Sequence, residues 1–265
     1  MMQYAVIGQY VPGSSFIHRL DPRAKLTIIF FYVFIVFLAN NMWSYLALGA
    51  FSILAVAASR IQASFILRGL RPVLWIILFT VVLHIFMTKE GELLFKYGWF
   101  TVYEEGARQA VFISMRFLFL IMMTSLLTLT TTPIEITDGM ETLLGPLKKV
   151  KFPVHELALM MSISLRFIPT LMQETEKLIK AQSARGVDFK HGPIKERLQA
   201  IAALLVPLFI GAFKRAEDLA LAMEARGYQG GEGRTKLREL KWSGADTAAL
   251  GLVILLAAAL LYLRS

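Results

Sequence analysis

Apolar residues run almost unbroken from Leu26 to Ala58. That is longer than one membrane crossing needs, because about 20 apolar residues span the hydrocarbon core of a bilayer. Asn40 and Asn41 interrupt the run. Asparagine forms turns and is costly in hydrocarbon, so the pattern predicts two short antiparallel helices, with Lys25 and Arg60 snorkelling at their ends. A third apolar stretch, Pro72 to Met87, carries its proline where a helix start tolerates one. A fourth runs from Ala110 to Thr130 and contains Arg116, and a fifth, rich in alanine, runs from Thr247 to Leu263. The pattern predicts an all-α polytopic membrane protein with about five transmembrane helices. Its parts are a membrane domain of four spans over 1–131, a charged helical segment over 132–243, and a C-terminal span over 244–265.

Two stretches inside the charged segment imitate spans: Val154–Met172 and Leu198–Phe213. The first carries Glu156 and Arg166, each costing about 2.5–3.5 kcal/mol at a membrane-helix centre. The sequence between the two holds Lys177, Lys180, Arg185, Lys190, Lys195 and Arg197, and basic loops are retained in the cytoplasm. Both stretches are therefore expected to be interfacial or protein-packed helices. Each runs on into an amphipathic half, residues 173–186 and 214–227, as a helix leaving the bilayer for water would. Pro169 and Pro207 fall within the apolar halves, where each removes one backbone hydrogen bond. Pro133 and Pro153 are expected at helix starts.

Charge orients the chain. Residues 1–25 carry Arg19, Arg23 and Lys25 against Asp21 alone, and residues 59–71 carry Arg60, Arg68 and Arg71 with no acid. Residues 88–107 carry Lys89 and Lys96 against four glutamates. The basic loops predict a cytoplasmic N-terminus, an external 88–107 loop, a cytoplasmic 131–244 segment and an external C-terminus. Composition agrees with the membrane class: 56% of residues are hydrophobic, 18% are charged and the mean hydropathy is +0.59. Residues 1–20 lack the charge, apolar-core and cleavage pattern of a signal peptide, so the first span is expected to direct insertion. The absence of cysteine excludes disulfides, thiolate metal sites and thiol nucleophiles.

The two long helices of the charged segment end alike, in Ala184-Arg185-Gly186 and Ala225-Arg226-Gly227. One such end is explained by capping: glycine accepts positive φ, and a cation complements the negative end of the helix dipole. The repetition on two successive helices points further. Alanine keeps the backbone approachable, arginine offers a planar fork of donors for carboxylates or carbonyls, and glycine stops the helix so that the arginine stands near a tip. Twin tips suit a partner that is itself a dimer.

With these ends, the run His18-Arg19-Leu20-Asp21-Pro22-Arg23-Ala24-Lys25 and the leading cluster of spans, the chain resembles the transmembrane T component of energy-coupling factor (ECF) transporters, the EcfT/CbiQ family. The resemblance covers essentially the whole chain. It implies a coupling subunit in a bacterial cell membrane that joins a substrate-binding S component to two cytoplasmic ABC-type ATPases, a homo- or heterodimer, for vitamin or metal-ion import. It also implies that Arg185 and Arg226 dock the ATPases, flanked by Ala184, Gly186, Ala225 and Gly227. No nucleic-acid partner, cofactor or metal is expected.

The residues agree with a non-catalytic role. There is no GxxxxGK[ST] run for a nucleotide, and His18, His84, His155 and His191 are scattered. Asp21 is expected to cap a helix before Pro22, and Arg116 to make a structural ion pair or bonds to backbone carbonyls. Two other readings remain open. A membrane-bound enzyme acting on lipid would want clustered acids, histidines or lysines. A stand-alone carrier would want polar residues along several spans or an inverted repeat.

Overall fold

The computed structural model describes residues 10–88, 90–97, 100–189, 193–230 and 239–264. Nine α-helices are found among them: α1 (Phe16–Arg19), α2 (Pro22–Val36), α3 (Met42–Ser59), α4 (Ala63–Met87), α5 (Glu104–Thr130), α6 (Pro133–Leu143), α7 (Val154–Ala184), α8 (Ile194–Ala225) and α9 (Gly244–Arg264). A two-stranded antiparallel hairpin, β1 (Leu93–Tyr97) and β2 (Phe100–Tyr103), stands between α4 and α5. The all-α class holds, with that hairpin as its one strand pair among the described residues.

Several boundaries differ from the sequence expectation. α4 begins at Ala63 and keeps Pro72 inside it, and α5 begins at Glu104. Six helices are long and apolar enough to cross a membrane: α3, α4, α5, α7, α8 and α9. That is one more than the count of about five, and the candidates differ from the expected set. The 15-residue α2 is about 22 Å long, short of a bilayer core. By contrast α7 and α8, at 31 and 32 residues, pass on length and hydropathy.

The chain divides into two compact units, residues 1–143 with 239–265 and residues 144–238. In the first, α2 is central and packs on α5, α6 and α9, while α3 packs on α5 and α9, and α4 lies along α5. Ala24, Ile28, Tyr32, Ile35 and Val36 recur three or four residues apart and form the buried stripe of α2. Its other face presents Phe30, Phe31, Phe34 and Phe37, all more than half exposed. A helix apolar on all sides suits a bilayer, where the outer face meets lipid instead of water. Small residues permit close approach between helices: a Cβ on Gly69 would stand 3.2 Å from the Ser125 hydroxyl. In the second unit α7 packs on α8, and only Val154, Ala158 and Ala200 are buried on these two helices.

Candidate functional site

Both helix tips are built the same way. Arg185 is the C-cap of α7 and Gly186 follows at φ 87°. The Gly186 N–H donates to Ser183 O at 3.0 Å, and the Val187 N–H reaches back to Gln182 O at 3.1 Å. At the end of α8, Arg226 is the C-cap, Gly227 has φ 74°, the Gly227 N–H donates to Glu224 O at 2.8 Å and the Tyr228 N–H to Met223 O at 3.0 Å. Each is a Schellman cap, which needs a left-handed residue after the last turn and satisfies two orphan carbonyls. The glycines are therefore required by backbone conformation alone, since nothing lies within 4 Å of either added Cβ.

Capping does not employ the guanidinium groups. Ala184, Arg185, Gly186, Ala225, Arg226 and Gly227 are all exposed. Among the described residues neither arginine side chain has a hydrogen-bond or ion-pair partner. What joins the helices lies further back. Glu174 of α7 pairs with Arg215 of α8, beside an apolar seam that sets Phe167 and Leu171 against Ala212, Ala216 and Leu219. Each tip arginine lies eleven positions beyond its helix's member of that pair. At 1.5 Å per residue, that is about 16 Å along each helix, and on α8 the residues Leu219, Ala220 and Met223 still line the seam with α7 over that stretch. The structure joins the two helices through this pair and seam and leaves both tip arginines exposed. The Glu174–Arg215 pair was not singled out in the sequence, because nothing local marks which of many charged pairs will meet.

The Leu-Asp-Pro-Arg run forms a polar latch in the first unit. Asp21 caps α2, accepting from the Arg23 N–H at 2.8 Å, with Pro22 in the first turn, as expected. Its carboxylate also pairs with the Arg23 guanidinium at 2.8 Å. The Asp21 N–H donates to Asp246 Oδ1 at 2.8 Å, and Asp246 Oδ2 accepts from the N–H and hydroxyl of Ser243, each at 2.7 Å. Asp246 is 1% exposed and ties the start of α9 to the start of α2. Burial pushes the Asp21 carboxyl up, but the hydrogen bonds and charge of Arg23, with Lys25 nearby, outweigh it and hold the group below its ordinary value. Arg23 also donates to Leu240 O at 3.1 Å and lies over the Trp242 ring at 5.7 Å.

Lys25 corrects an expectation. It does not snorkel: it is 5% exposed, and its ammonium donates to Thr130 O at 3.1 Å, Thr131 Oγ1 at 3.2 Å and His18 O at 3.3 Å. Three acceptors satisfy its three donors, which is what makes its burial tolerable. For Arg116, expected to make an ion pair or bonds to backbone carbonyls, the structure gives a tyrosine hydroxyl and one carbonyl, and its buried Nε has no partner among the described residues. Arg116 donates to Tyr45 Oη at 3.1 Å, approaches Ala39 O at 3.5 Å and lies 5.1 Å from the centre of the Phe37 ring. Among the described residues no cluster of histidines and acids is placed to hold a metal ion; His191 lies outside them.

Comparison with known proteins agrees with this architecture. The chain matches the family described as cobalt transport protein, CbiQ, over residues 13–237. It is 64% identical over 265 residues to the energy-coupling factor transporter transmembrane protein EcfT of Bacillus subtilis, covering 100% of both chains. The protein of the same name from Exiguobacterium sibiricum is 55% identical over 259 residues, 98% of each chain. EcfT 1 of Listeria monocytogenes is 46% identical over 265 residues, again covering 100% of both.

Proposed function

From the premise that this chain belongs to the EcfT/CbiQ family, the transmembrane T components of energy-coupling factor transporters, we propose that it passes the work of two cytoplasmic ABC-type ATPases to a separate S component that binds a vitamin or other micronutrient. The chain carries no nucleotide site of its own in this reading, and hydrolysis belongs to the ATPases, a homo- or heterodimer. It sits in the bacterial cell membrane with its N-terminus in the cytoplasm. Residues 1–131 and 244–265 act as the membrane body, and 132–243 as the coupling segment.

The observation that carries the reading is the pair of exposed arginines, Arg185 and Arg226, on two identically capped helix ends with no partner among the described residues. A guanidinium fork on a rigid tip can clamp carboxylates or carbonyls of a docked protein, and two such tips match an ATPase dimer. The basic stretch between α7 and α8 supports keeping both tips in the cytoplasm. When the ATPases change state, the tips move, and helices fixed to each other at Glu174 and Arg215 carry that displacement toward the S component. Only contacts that differ between the two ATPase states transmit work.

The test is charge reversal. In Arg185→Glu with Arg226→Glu, the chain inserts normally, but the ATPases no longer co-purify with it in mild detergent and substrate uptake is lost. Uptake and co-purification at wild-type levels in that double variant would sink the proposal.

A further inference from the structure

Within the first unit, an apolar crevice of about 290 Å³ opens between α1, α2, α3, α5 and α9. Its walls include Ile28, Phe51, Leu54, Leu126 and Val253, with Lys25 and Thr130 among them, and no acidic side chain of the described residues lines it. Beside it lies a second hollow of about 600 Å³, between α1 and the end of α3. Phe16 and Ala58 line both, so the two adjoin. The second hollow has a different chemistry: it is lined by Ser14, Arg19 and Arg60, again with no acid. Both arginines are exposed, and among the described residues neither guanidinium has a partner.

The backbone at Arg60 gives a second, independent observation. Arg60 caps α3 in the left-handed conformation, φ 54° and ψ 23°. Glycine or asparagine takes that conformation readily, whereas a longer L-residue is strained by about 1 kcal/mol or more. Capping alone therefore does not account for arginine here. Strain retained at a surface position points to a use for the side chain. Arg19 and Arg60 also belong to the two stretches, 1–25 and 59–71, whose excess positive charge marks the same side of the membrane.

An apolar slot adjoining a doubly cationic, acid-free hollow complements an amphiphile with an anionic head. We propose that these two hollows form one binding site for an anionic phospholipid of the surrounding bilayer. Its acyl chain lies in the crevice against Ile28, Leu126 and Val253, and its phosphodiester lies between Arg19 and Arg60, within reach of the Ser14 hydroxyl. The occupant is a lipid because the crevice and the cationic hollow complement its two ends together, which a dissolved phosphate or a purely apolar helix does not do. A lipid held there fills the space between α2, α3 and α9 that the chain's own side chains leave open.

The test uses the full-length protein purified with its co-purifying partners. Native mass spectrometry follows retention of added phosphatidylglycerol against phosphatidylcholine with the same acyl chains. One phosphatidylglycerol is retained in preference, and each of Arg19→Gln and Arg60→Gln lowers the preference about fivefold. Ala55→Trp, which fills the crevice and leaves both arginines in place, reduces retention of the lipid as well. Arg60→Gly separates charge from folding. It removes the guanidinium while relieving the left-handed strain, so its Tm in lipid-free detergent is at or above wild type, yet the rise in Tm on adding phosphatidylglycerol is smaller. Equal retention of the two lipids would overturn the proposal, as would an undiminished preference in the arginine variants. So would a photo-crosslinker at Leu54 that captures a partner protein instead of lipid.

Discussion

In residues 1–143 with 239–265, three charged residues near the starts of α2 and α9 are turned into the protein. Asp21 and Lys25 are each 5% exposed and Asp246 is 1% exposed, and each meets hydrogen-bond partners from a distant part of the chain. In residues 144–238 the charged groups at helix ends face outward, and Arg185 and Arg226 meet nothing among the described residues. The two units also differ in apolar packing. Tyr32, Val36, Leu48, Leu129 and Leu260 are closed inside the first, while α7 and α8 bury three residues between them. Burying a charge demands that all its partners be supplied by the same chain, which fixes geometry. Leaving a charge exposed at a rigid tip postpones that satisfaction until another molecule arrives. The buried charges of the first unit are satisfied within it, while the exposed side chains of Arg19 and Arg60 there, like the tip arginines of the second, have no partner among the described residues.

The sharpest way to break this contrast is at the tips. Reversing Arg185 and Arg226 together removes two proposed anchor residues, each worth about 2 kcal/mol or more at an interface centre. The expected result is loss of ATPase co-purification with no change in the Tm of the isolated chain, because neither side chain stabilises the chain itself. A falling Tm in that variant would place the arginines in the fold and erase the contrast.

The mirror experiment is Asp246→Ala. It strands the Asp21 N–H and both donors of Ser243, at a cost of about 3 kcal/mol. Thermal unfolding in detergent should drop, and ATPase binding by the molecules that remain folded should not. A smaller effect is expected where the second unit holds itself together. Glu174→Gln weakens the partly exposed Glu174–Arg215 pair by about 1 kcal/mol. Exchanging the two residues, Glu174→Arg with Arg215→Glu, should restore Tm and uptake, and failure of that rescue would mean the pair does not set the crossing.

The smallest effect is one of pH. The folded-state pKa of Asp21 lies below its unfolded value, so its contribution is fully present above the ordinary carboxylate range near pH 4 and is lost as pH falls through the lower folded value. Asp21→Asn should therefore reduce Tm near neutrality, with the gap to wild type closing on acidification. A gap that stays constant across this range would show that the charge of Asp21 is not what stabilises α2.

Much of the fold is legible in the sequence for reasons that are local. A run of apolar residues has to leave water wherever it folds, and prolines and glycines constrain the backbone at their own positions. Hence the membrane class, Asp21 as a cap before Pro22, and Gly186 and Gly227 as helix stops can all be read without coordinates. Two further local signals were present but unread. Ser243 with Asp246, and Thr132 with Glu135, have the spacing of capping boxes, and both carboxylates reach back to the first residue's N–H.

Methionine shows where composition alone fails. Of its twelve uses, Met122 and Met123 are buried in the first unit while Met160 and Met161 are exposed on α7. The same side chain fills cores and surfaces alike, and only its neighbours decide which.

The sequence by itself determined the class of the protein, the placement of its charges and the twin Ala-Arg-Gly ends, because each is a property of residues near one another in the chain. Only the tertiary structure decided that Lys25 is buried instead of snorkelling, that Asp246 reaches Asp21 across 225 positions, and that Glu174 meets Arg215. Those outcomes depend on which helices become neighbours. That is settled by packing and by the need to satisfy buried donors together, and no periodicity along the chain records it.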